Sequence, residues 1–365
     1  MNVAAIERNC ARLAAGLRSG ATLCVVVKAD GYGHGARASA RAALQGGASW
    51  LAVATAAEAA ELRAEGLQAR LLVMGALTPS ELDTALEADA DVVAWREGFV
   101  AAVAARRGSG VPPARMHVKL DSGMGRLGTR DPAEADRVAQ AIASALGLEL
   151  TGAMTHFATA DDLGDPFFAE QLARFEPWAM ALKAAHPSIV VHAANSAAAL
   201  RDPASHFDLV RAGVAVYGLD PFQEHPDHHG LEPALELRSH LAAVKPCAPG
   251  QSAGYGRRFI AGEPTVLGVL PLGYADGVRR ALGNNAEVLI DGVRRPLVGT
   301  VSMDNVTIDL GPDPPPVGTQ AVLIGNRGAE RILVEDWARR LGTINYEVTC
   351  AIGPRVPRWH HRDGR

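Results

Sequence analysis

From residue 2 to about 215, stretches with helical periodicity alternate with short runs rich in β-branched residues, and this alternation constrains the fold most. In segment 3–18, apolar residues recur every three to four positions and fall on one face of a helix. Eight strand candidates follow: 22–29, 49–55, 70–75, 90–95, 115–121, 148–156, 188–194 and 207–213. The chain is therefore expected to form repeated βα units.

Several of the eight runs are apolar throughout, as parallel strands are when both of their faces are covered. Eight such units within about 215 residues predict a (β/α)8 barrel. A doubly wound sheet is the alternative. That fold more often has the fingerprint GxGxxG after its first strand, whereas this sequence reads VVVKADGYGHG.

The composition changes after residue 220. Segment 220–233 is polar, contains proline and has no period, so it is interpreted as a connector. From residue 234 onward, short strand-like runs are separated by turn signals about every 8–12 residues, which predicts a mainly β domain. One helix is expected there, over 333–342. The sequence thus predicts two domains, 1–222 and 223–365, the second of which is mainly β.

The charge balance excludes two kinds of partner. Thirty-six lysines and arginines against 40 aspartates and glutamates give a net charge of −4, which provides no field to attract nucleic acid or an anionic membrane. No apolar run reaches the roughly 18 residues that a helix needs to cross a bilayer. We therefore expect no nucleic-acid partner and no membrane partner.

The spacing of the cysteines indicates the cellular compartment, and the surroundings of the histidines argue against a metal site. The cysteines lie far apart without a CxxC pair, at positions 10, 24, 247 and 350. This spacing is typical of buried thiols in a reducing compartment, so we expect a cytoplasmic protein. Histidines cluster at 225–229 and 360–361, but they lack cysteine or carboxylate partners at ligand spacing, and no metal site is predicted.

Chemically active residues follow the predicted strands at the end where barrels carry out their chemistry. The residues at these positions are Lys28, Arg126, His156, Asn195, Ser196 and Arg211. A lysine at the mouth of an apolar strand is partly desolvated, which lowers the pKa of its amine and lets it act as a nucleophile that forms a Schiff base. The alternative is a solvated lysine at a strand end.

The neighbours of Lys28 favour a cofactor with a phosphate group. Glycines at 31, 33 and 35 let the backbone bend around a ligand, and Tyr32 offers a hydroxyl. On the far side, Ser196 begins a predicted helix and Gly213 and Val214 follow strand eight, so a hydroxyl and backbone N–H groups can hold a phosphate. A lysine, a phosphate cradle and an arginine on one rim suggest pyridoxal phosphate.

The motifs that carry a resemblance to a known family are, in chain order, VVVKADGYGHG, KLDSGMGRLG, MTHFATAD, ANSAA, VRAGVAVYGL, GYGRRF, GYADG and VSMDN. In order and spacing they closely resemble the signatures of bacterial alanine racemases, which are fold-type III enzymes that use pyridoxal 5'-phosphate. The resemblance covers nearly the whole chain. The motifs of Lys28 and Tyr255 lie more than 200 residues apart and both match.

The resemblance implies a two-base racemisation of alanine, because protons must leave and reach opposite faces of the α-carbon. Lys28 is then one base, and Tyr255 from the other subunit of a homodimer is the second. His156 and Arg211 are expected to stabilise the phenolate, although a strand-end histidine is often only structural. Arg211 is also expected at the pyridine nitrogen of the cofactor, with an ion pair to an aspartate as the alternative.

The same resemblance implies roles for further residues. Arg126 is expected to contact the cofactor's phenolic oxygen and the substrate carboxylate. Lys119 occupies the position of a lysine that is carbamylated in some relatives, and it can equally be unmodified. The remaining residues implied are Met303 and Asp304 in the turn that binds the substrate carboxylate, and Tyr274 and Tyr346 at a narrow entrance, with Tyr346 also reaching the phosphate.

Three other activities remain open from the sequence. They are a racemase for serine, basic amino acids or a broader range, a non-catalytic pyridoxal phosphate carrier, and a related decarboxylase. A carrier lacks the second domain that provides Tyr255 and Met303, and a decarboxylase usually has a carboxylate where Arg211 stands. Two departures from the family pattern are a start that lacks the usual N-terminal strand and Thr300, where many relatives have arginine.

Overall fold

The computed structural model describes residues 1–107 and 111–363, which divide into two compact units. The N-terminal unit comprises Val3–Phe222 and His229–Glu232. The C-terminal unit comprises Met1–Asn2, Gln223–His228 and Pro233–Arg365. The chain passes from one unit to the other within the segment interpreted as a connector.

Eight parallel strands form the centre of the N-terminal unit. They are β1 (Thr22–Val26), β2 (Trp50–Val53), β3 (Arg70–Val73), β4 (Asp91–Ala94), β5 (Ala114–Lys119), β6 (Leu148–Met154), β7 (Val190–His192) and β8 (Leu209–Ala212). Their order in the sheet is β7-β6-β5-β4-β3-β2-β1-β8. Hydrogen bonds from Asp208 N to Val191 O and from Arg211 N to Ala194 O, both 3.0 Å, join β8 to the β7 segment and close the circle.

This arrangement confirms the predicted (β/α)8 barrel, and each predicted strand overlaps an observed one. The observed strands are mostly shorter at their carboxyl ends. The predicted runs had included the residues that leave the sheet at the rim, such as Lys28, His156 and Gly213. These residues lie outside the strands, and Lys28 begins a helix.

Helices alternate with the strands. They are α1 (Val3–Ala15), α2 (Lys28–Tyr32), α3 (Ala36–Gln45), α4 (Ala56–Ala64), α5 (Pro79–Glu87), α6 (Glu97–Ala104), α7 (Pro132–Ser144), α8 (Phe167–Ala185) and α9 (Ser196–Arg201). Two of them begin with a capping box, Thr55 with Glu58 and Thr78 with Glu81, in which side chain and backbone satisfy each other's hydrogen bonds. Buried strand residues such as Val25, Leu72 and Val118 form the core.

The C-terminal unit is mainly β, as predicted. Its strands are β9 (Leu237–His240), β10 (Ala243–Cys247), β11 (Ser252–Ala253), β12 (Phe259–Ile260), β13 (Thr265–Leu270), β14 (Ala286–Ile290), β15 (Val293–Val298), β16 (Val306–Asp309), β17 (Gln320–Arg327) and β18 (Glu330–Ile332). The main sheet is antiparallel, in the order β10-β13-β16-β15-β14-β17-β18, with β9 also on β17. It forms a half-barrel, and β11 and β12 make a separate small hairpin.

Two helices follow the sheet, where the sequence predicted one. The expected helix is α10 (Val334–Leu341), and a second helix is α11 (Asn345–Cys350). A six-residue helix is too short to show a periodic apolar face, so the sequence pattern did not reveal it. This corrects the prediction, and α11 carries Tyr346.

The first residues of the chain join the C-terminal unit. Asn2 N donates to Ala234 O at 2.8 Å, and Asn2 makes an isolated bridge with His361. Next to this bridge, His361 N donates to Met1 O at 3.0 Å.

Among the described residues, no helix is both long and apolar enough to span a membrane. The cysteines all lie in the described part of the chain and form no disulfide. Three of them, Cys10, Cys24 and Cys247, are buried, and burial raises the pKa of Cys10 and of Cys24 to about 12. Cys350 is exposed at the end of α11, which corrects the expectation that all four are buried.

Candidate active site

Lys28 lies just beyond β1, where the chain makes a left-handed turn. Ala29, Asp30 and Tyr32 have φ of 52°, 51° and 54°, a conformation that is costly for residues with a side chain and that concentrates at functional sites. The turn is anchored by Glu58, whose Oε1 accepts from Ala29 N at 2.7 Å. This unusual backbone leaves Lys28 half-buried, with its Nζ 6.0 Å from the centre of the Tyr32 ring.

A small polar cradle forms between the first, seventh and eighth strands. The Oγ of Ser196, which is buried, accepts from Gly213 N at 2.9 Å and from Ala215 N at 3.4 Å. A Cβ atom at Gly213 would lie 2.5 Å from the Tyr32 hydroxyl, so a side chain there would displace Tyr32. The cradle combines hydroxyl groups with backbone N–H groups, which are the donors that a phosphate ester requires.

Arg211, on β8, is 2% exposed, and both of its terminal nitrogens have hydrogen-bond partners. Nη2 donates to Thr155 O at 2.8 Å and to Ala193 O at 2.9 Å, and lies 3.2 Å from His156 Nδ1. Nη1 lies 2.8 Å from His192 Nδ1. No described residue accepts a hydrogen bond from Nε, so this N–H remains for a ligand.

The groups around Arg211 are mostly cationic, and this changes their acidity. Burial, followed by the charges of Arg211 and Arg126, lowers the pKa of Lys119 to about 8. Burial and the Arg211 charge also hold the pKa of His156 well below its usual range. Burial lowers the pKa of Arg211 itself to about 10. The site therefore favours an anionic ligand and a neutral imidazole at His156.

Arg126 projects from the loop that follows β5. The loop is folded around Asp121, whose Oδ1 accepts from Gly123 N at 3.1 Å and from Gly125 N at 3.0 Å. Gly125 has φ of 72°, so the tight turn needs a glycine there. Arg126 is exposed, and its guanidinium contributes to the low pKa of both Lys119 and His156.

The C-terminal unit presents three of the expected residues on its surface. Tyr255 is 73% exposed, Met303 52% and Tyr274 44%. The turns of Tyr274 and Met303 are joined, since Tyr274 N donates to Ser302 O at 3.0 Å and Ala275 N donates to Met303 O at 3.1 Å. We call the surface formed by Tyr255, Tyr274 and Met303 the tyrosine face.

Two residues without an assigned role hold the turns of the tyrosine face. Thr300 Oγ1 donates to Tyr255 O at 2.8 Å. Arg355 forms an ion pair with Asp304 at 2.8 Å and another with Asp276 at 3.3 Å, so it links the two turns. Arg355 could not be found from the sequence, because its partners are 51 and 79 positions away and no motif contains it.

Tyr346 is half-buried on the short helix α11. The helix is linked to the GYADG region by an ion pair of Glu347 with Arg279 at 3.5 Å. Its carboxyl end also approaches the turn, since a Cβ atom at Gly277 would lie 2.8 Å from Ile352 Cα. Tyr346 and Tyr274 therefore belong to neighbouring segments of the C-terminal unit.

Among the described residues, the structure brings Lys28, Tyr32, Lys119, Arg126, His156, Ser196, Arg211, Gly213 and Val214 to the carboxyl ends of the barrel strands. His192 belongs to this group and was missed by the sequence analysis. A histidine within the apolar run SIVVHAA was the available signal. In the described part of the chain, no three His, Cys, Asp or Glu side chains are grouped closely enough to hold a metal ion.

Comparisons with known proteins agree with this geometry. Residues 1–221 match the family model described as "Alanine racemase, N-terminal domain", and residues 234–360 match "Alanine racemase, C-terminal domain". The chain belongs to the alanine racemase family. Members of this family are isomerases that depend on pyridoxal phosphate.

Individual relatives are similar over nearly the full length. The chain is 43% identical over 366 residues to an alanine racemase of Geobacillus kaustophilus, covering 99% of this chain and 93% of the relative. It matches the solved alanine racemase of Streptomyces coelicolor A3(2) with a TM-score of 0.93 at 39% identity, covering 99% of this chain and 96% of that one. A Bacillus anthracis alanine racemase with bound L-Ala-P matches with a TM-score of 0.92 at 36% identity, covering 100% and 94%.

Proposed function

We propose that this chain is a pyridoxal phosphate-dependent racemase that interconverts L-alanine and D-alanine. The observation that carries the proposal is the position of Lys28 on a strained turn, at the same strand ends as the cradle of Ser196 and Gly213 and the buried Arg211. The family supports the choice of substrate, because the curated relatives are named alanine racemases and one solved relative holds L-Ala-P.

The residues that would hold the cofactor fit its groups. Lys28 would bind its aldehyde carbon, and Tyr32, Ser196, Gly213, Val214 and Tyr346 its phosphate. Arg126 would contact its phenolic oxygen, and Arg211 would offer Nε–H to its pyridine nitrogen, with His156 beside it. When bound, the cofactor supplies an electron-withdrawing ring that stabilises negative charge at the substrate α-carbon.

Arg211 has a specific consequence for the reaction. A guanidinium disfavours a proton on the pyridine nitrogen, whereas a carboxylate would favour it. By disfavouring that proton, Arg211 would leave more negative charge at the substrate α-carbon. Lys28 and Tyr255 would then reprotonate the α-carbon quickly, which would favour racemisation over slower side reactions such as transamination.

Two bases act on opposite faces of the α-carbon. The Lys28 amine takes or returns the proton on one face, and the hydroxyl of Tyr255 of the partner subunit serves the other. The exposure of Tyr255 on the tyrosine face supports this assignment, since a base donated to another chain must reach the surface. The protein is therefore proposed to be a homodimer in which domain 1–222 of one chain is completed by domain 223–365 of the other.

The substrate is held by its carboxylate. Arg126 binds it from the barrel, the backbone N–H of Met303 binds it from the tyrosine face, and Asp304 supports that turn through Arg355. Tyr274 and Tyr346 narrow the entrance, which favours a small side chain.

Lys119 is proposed to react with carbon dioxide. Its pKa, lowered to about 8, gives Lys119 a larger neutral fraction near physiological pH than an ordinary lysine has, and the neutral amine attacks carbon dioxide and loses a proton to form an anionic carbamate. That anion would offset the surrounding cations and brace Arg126.

The buried cysteines support a reducing, cytoplasmic location.

A subunit-mixing experiment tests the shared site. Lys28→Ala and Tyr255→Phe homodimers should each lose racemisation, by a factor of about 10²–10⁴ for the tyrosine variant, while Tyr255→Phe keeps the cofactor's visible absorption. After random exchange, half of the dimers are mixed and each holds one site with both residues intact, so about a quarter of wild-type activity should return. Circular dichroism follows racemisation in both directions.

The matched control mixes Tyr255→Phe with Tyr255→Ala, which cannot produce an intact site. No recovery in the first mixture after verified exchange would refute the shared site, and full activity of Tyr255→Phe would refute the second base. Assays on a panel of L-amino acids then decide the substrate range, and a higher rate with serine or lysine than with alanine would overturn the assignment to alanine.

A further inference from the structure

A chain of hydrogen-bonded side chains runs through the interior of the barrel, from Arg211 to Asp91. Arg211 Nη1 lies 2.8 Å from His192 Nδ1, His192 Nε2 lies 2.8 Å from His117 Nδ1, and His117 Nε2 lies 2.9 Å from Asp91 Oδ2. Arg211 is 2% exposed and the other three side chains are fully buried. We call these four residues the interior chain.

The interior chain connects the two ends of the barrel. Asp91 is the first residue of β4, whereas His192 is the last residue of β7 and lies at the carboxyl ends of the strands. His117 lies between them on β5. Three strands thus supply side chains that lead away from the proposed active site into the core.

The direction of every proton in this chain follows from its two ends. A guanidinium can only donate, so His192 Nδ1 must accept, and its single proton must be on Nε2. That proton is donated to His117 Nδ1, which places the proton of His117 on Nε2, directed at Asp91. A carboxylate can only accept, so the opposite end requires the same arrangement.

Other contacts keep Asp91 ionised and His192 neutral, as this arrangement of protons requires. Burial opposes the charge of Asp91, but the hydrogen bond from His117 and the charge of Arg70 hold the pKa of this carboxyl well below its usual range. Arg70 Nη2 lies 2.8 Å from Asp91 Oδ2 and Arg115 Nε lies 2.6 Å from Oδ1. Burial and the neighbouring Arg211 hold the pKa of His192 well below its usual range, which keeps this imidazole neutral.

The orientation of the Arg211 guanidinium depends on which nitrogen of His192 carries the proton. His192 Nδ1 can accept from Nη1 only while its proton stays on Nε2, and Thr155 O and Ala193 O fix Nη2. If the proton moved to Nδ1, it would point at the guanidinium and push it away. The N–H on Nε would then no longer be held in place.

We propose that His117 and Asp91 are positioning residues for Arg211, and that the buried Asp91 carboxylate imposes one tautomeric direction on both imidazoles. The inference rests on the proposed function, in which Arg211 faces the pyridine nitrogen of the cofactor. Arg211 is thereby maintained as an oriented donor by a carboxylate that does not touch it.

The first experiment measures the tautomers directly in the protein without cofactor. Nitrogen-15 NMR of labelled histidines should show His117 and His192 as Nε2–H tautomers, with resonances assigned by His117→Gln and His192→Gln. In Asp91→Asn, whose amide can donate as well as accept, both should become mixtures. The matched control is Thr151→Val, which removes the 3.3 Å contact from Thr151 Oγ1 to Asp91 but keeps the carboxylate; it should leave both tautomers unchanged.

The second experiment measures the dissociation constant of pyridoxal phosphate. Asp91→Asn should raise it about tenfold, an effect typical of coupled neighbours, and Thr151→Val should not. In an Arg211→Lys background, Asp91→Asn should add little, because the oriented guanidinium is already absent. Should Asp91→Asn fail to fold, His117→Gln replaces it in this cycle.

The outcomes separate the two proposals. An Nδ1–H tautomer of either histidine in the wild type, or unchanged tautomers in Asp91→Asn, would overturn the inference whatever the activity. Altered tautomers with unchanged cofactor affinity would also overturn it, provided Arg211→Lys weakens binding. If Arg211→Lys leaves binding unchanged while the tautomers shift as expected, the proposed contact of Arg211 with the cofactor is what fails.

Discussion

The two units hold their proposed functional residues in opposite ways. In the barrel, Arg211 is buried and its side chain is fixed by hydrogen bonds from several strands. On the tyrosine face, Tyr255 and Met303 are more than half exposed, and the hydrogen bonds fix the backbone of their turns. The barrel therefore contains a preorganised cationic site. In the C-terminal unit, the hydrogen bonds fix the backbone of the turns but not the exposed side chains.

This contrast predicts which substitutions change stability and activity together. A change in the buried site alters the free energy of unfolding together with ligand binding, because buried polar groups lose their partners. A change on the tyrosine face should alter activity with little effect on stability, since exposed side chains contribute little to folding.

The largest effect on stability is expected for Arg211→Met. It leaves Thr155 O, Ala193 O and His192 Nδ1 without a donor in the core, so the free energy of unfolding should fall by about 3–5 kcal/mol. Urea unfolding of the cofactor-free protein measures it. The control is Arg126→Met, an exposed arginine of the same site, which should change stability by less than about 0.5 kcal/mol. Equal effects of the two variants would remove the contrast between buried and exposed residues.

The second largest effect is expected to be a pH dependence of stability that arises from Lys119. Its pKa is lowered from 10.5 to about 8 in the folded chain, so the unfolded chain binds more protons between these values. The stability of the wild type relative to Lys119→Met should therefore rise as pH increases from about 8 to 10.5, by about 3 kcal/mol in total. Below about pH 8 the amine is protonated in both states and the full cost of its burial remains.

The measurement is urea unfolding of both proteins across this range in buffer freed of carbon dioxide, so that no carbamate forms. A difference that stays constant with pH would show that burial and the cationic neighbours do not lower the pKa of Lys119. Adding bicarbonate should reduce the difference at neutral pH.

The smallest effect is expected for Thr300→Val, which removes the hydrogen bond to Tyr255 O. The free energy of unfolding should fall by only about 0.5–1.5 kcal/mol, whereas kcat should fall about tenfold because the Tyr255 turn is no longer fixed. Thr300→Ser keeps the hydroxyl and should retain activity. Steady-state kinetics with cofactor titration checks this, and weakened cofactor binding in Thr300→Val would break the proposed separation of roles.

The sequence predicted the architecture because the signals are local. Apolar runs of the right length and the alternation with helices predicted eight strands and a barrel, and these were confirmed. It did not predict α11, since six residues show no period, nor the left-handed conformation of Ala29, since alanine rarely adopts it.

In the candidate site, too, local signals were visible in the sequence and long-range contacts were not. Residues at strand ends, such as Lys28 and His156, were visible because a reactive side chain after an apolar run is unusual in a sequence. The contact of Thr300 with Tyr255 was not visible, because the two residues are 45 positions apart and meet only through the packing of their turns.

The sequence by itself determined which chemical groups stand at the barrel rim, because periodicity and strand ends are written in consecutive residues. Only the tertiary structure decided that Asp91, His117 and His192 connect to Arg211, since their order in space depends on the closure of the barrel. Hydrogen bonds between distant strands depend on distances and angles in three dimensions, and a linear pattern of residue types does not contain them.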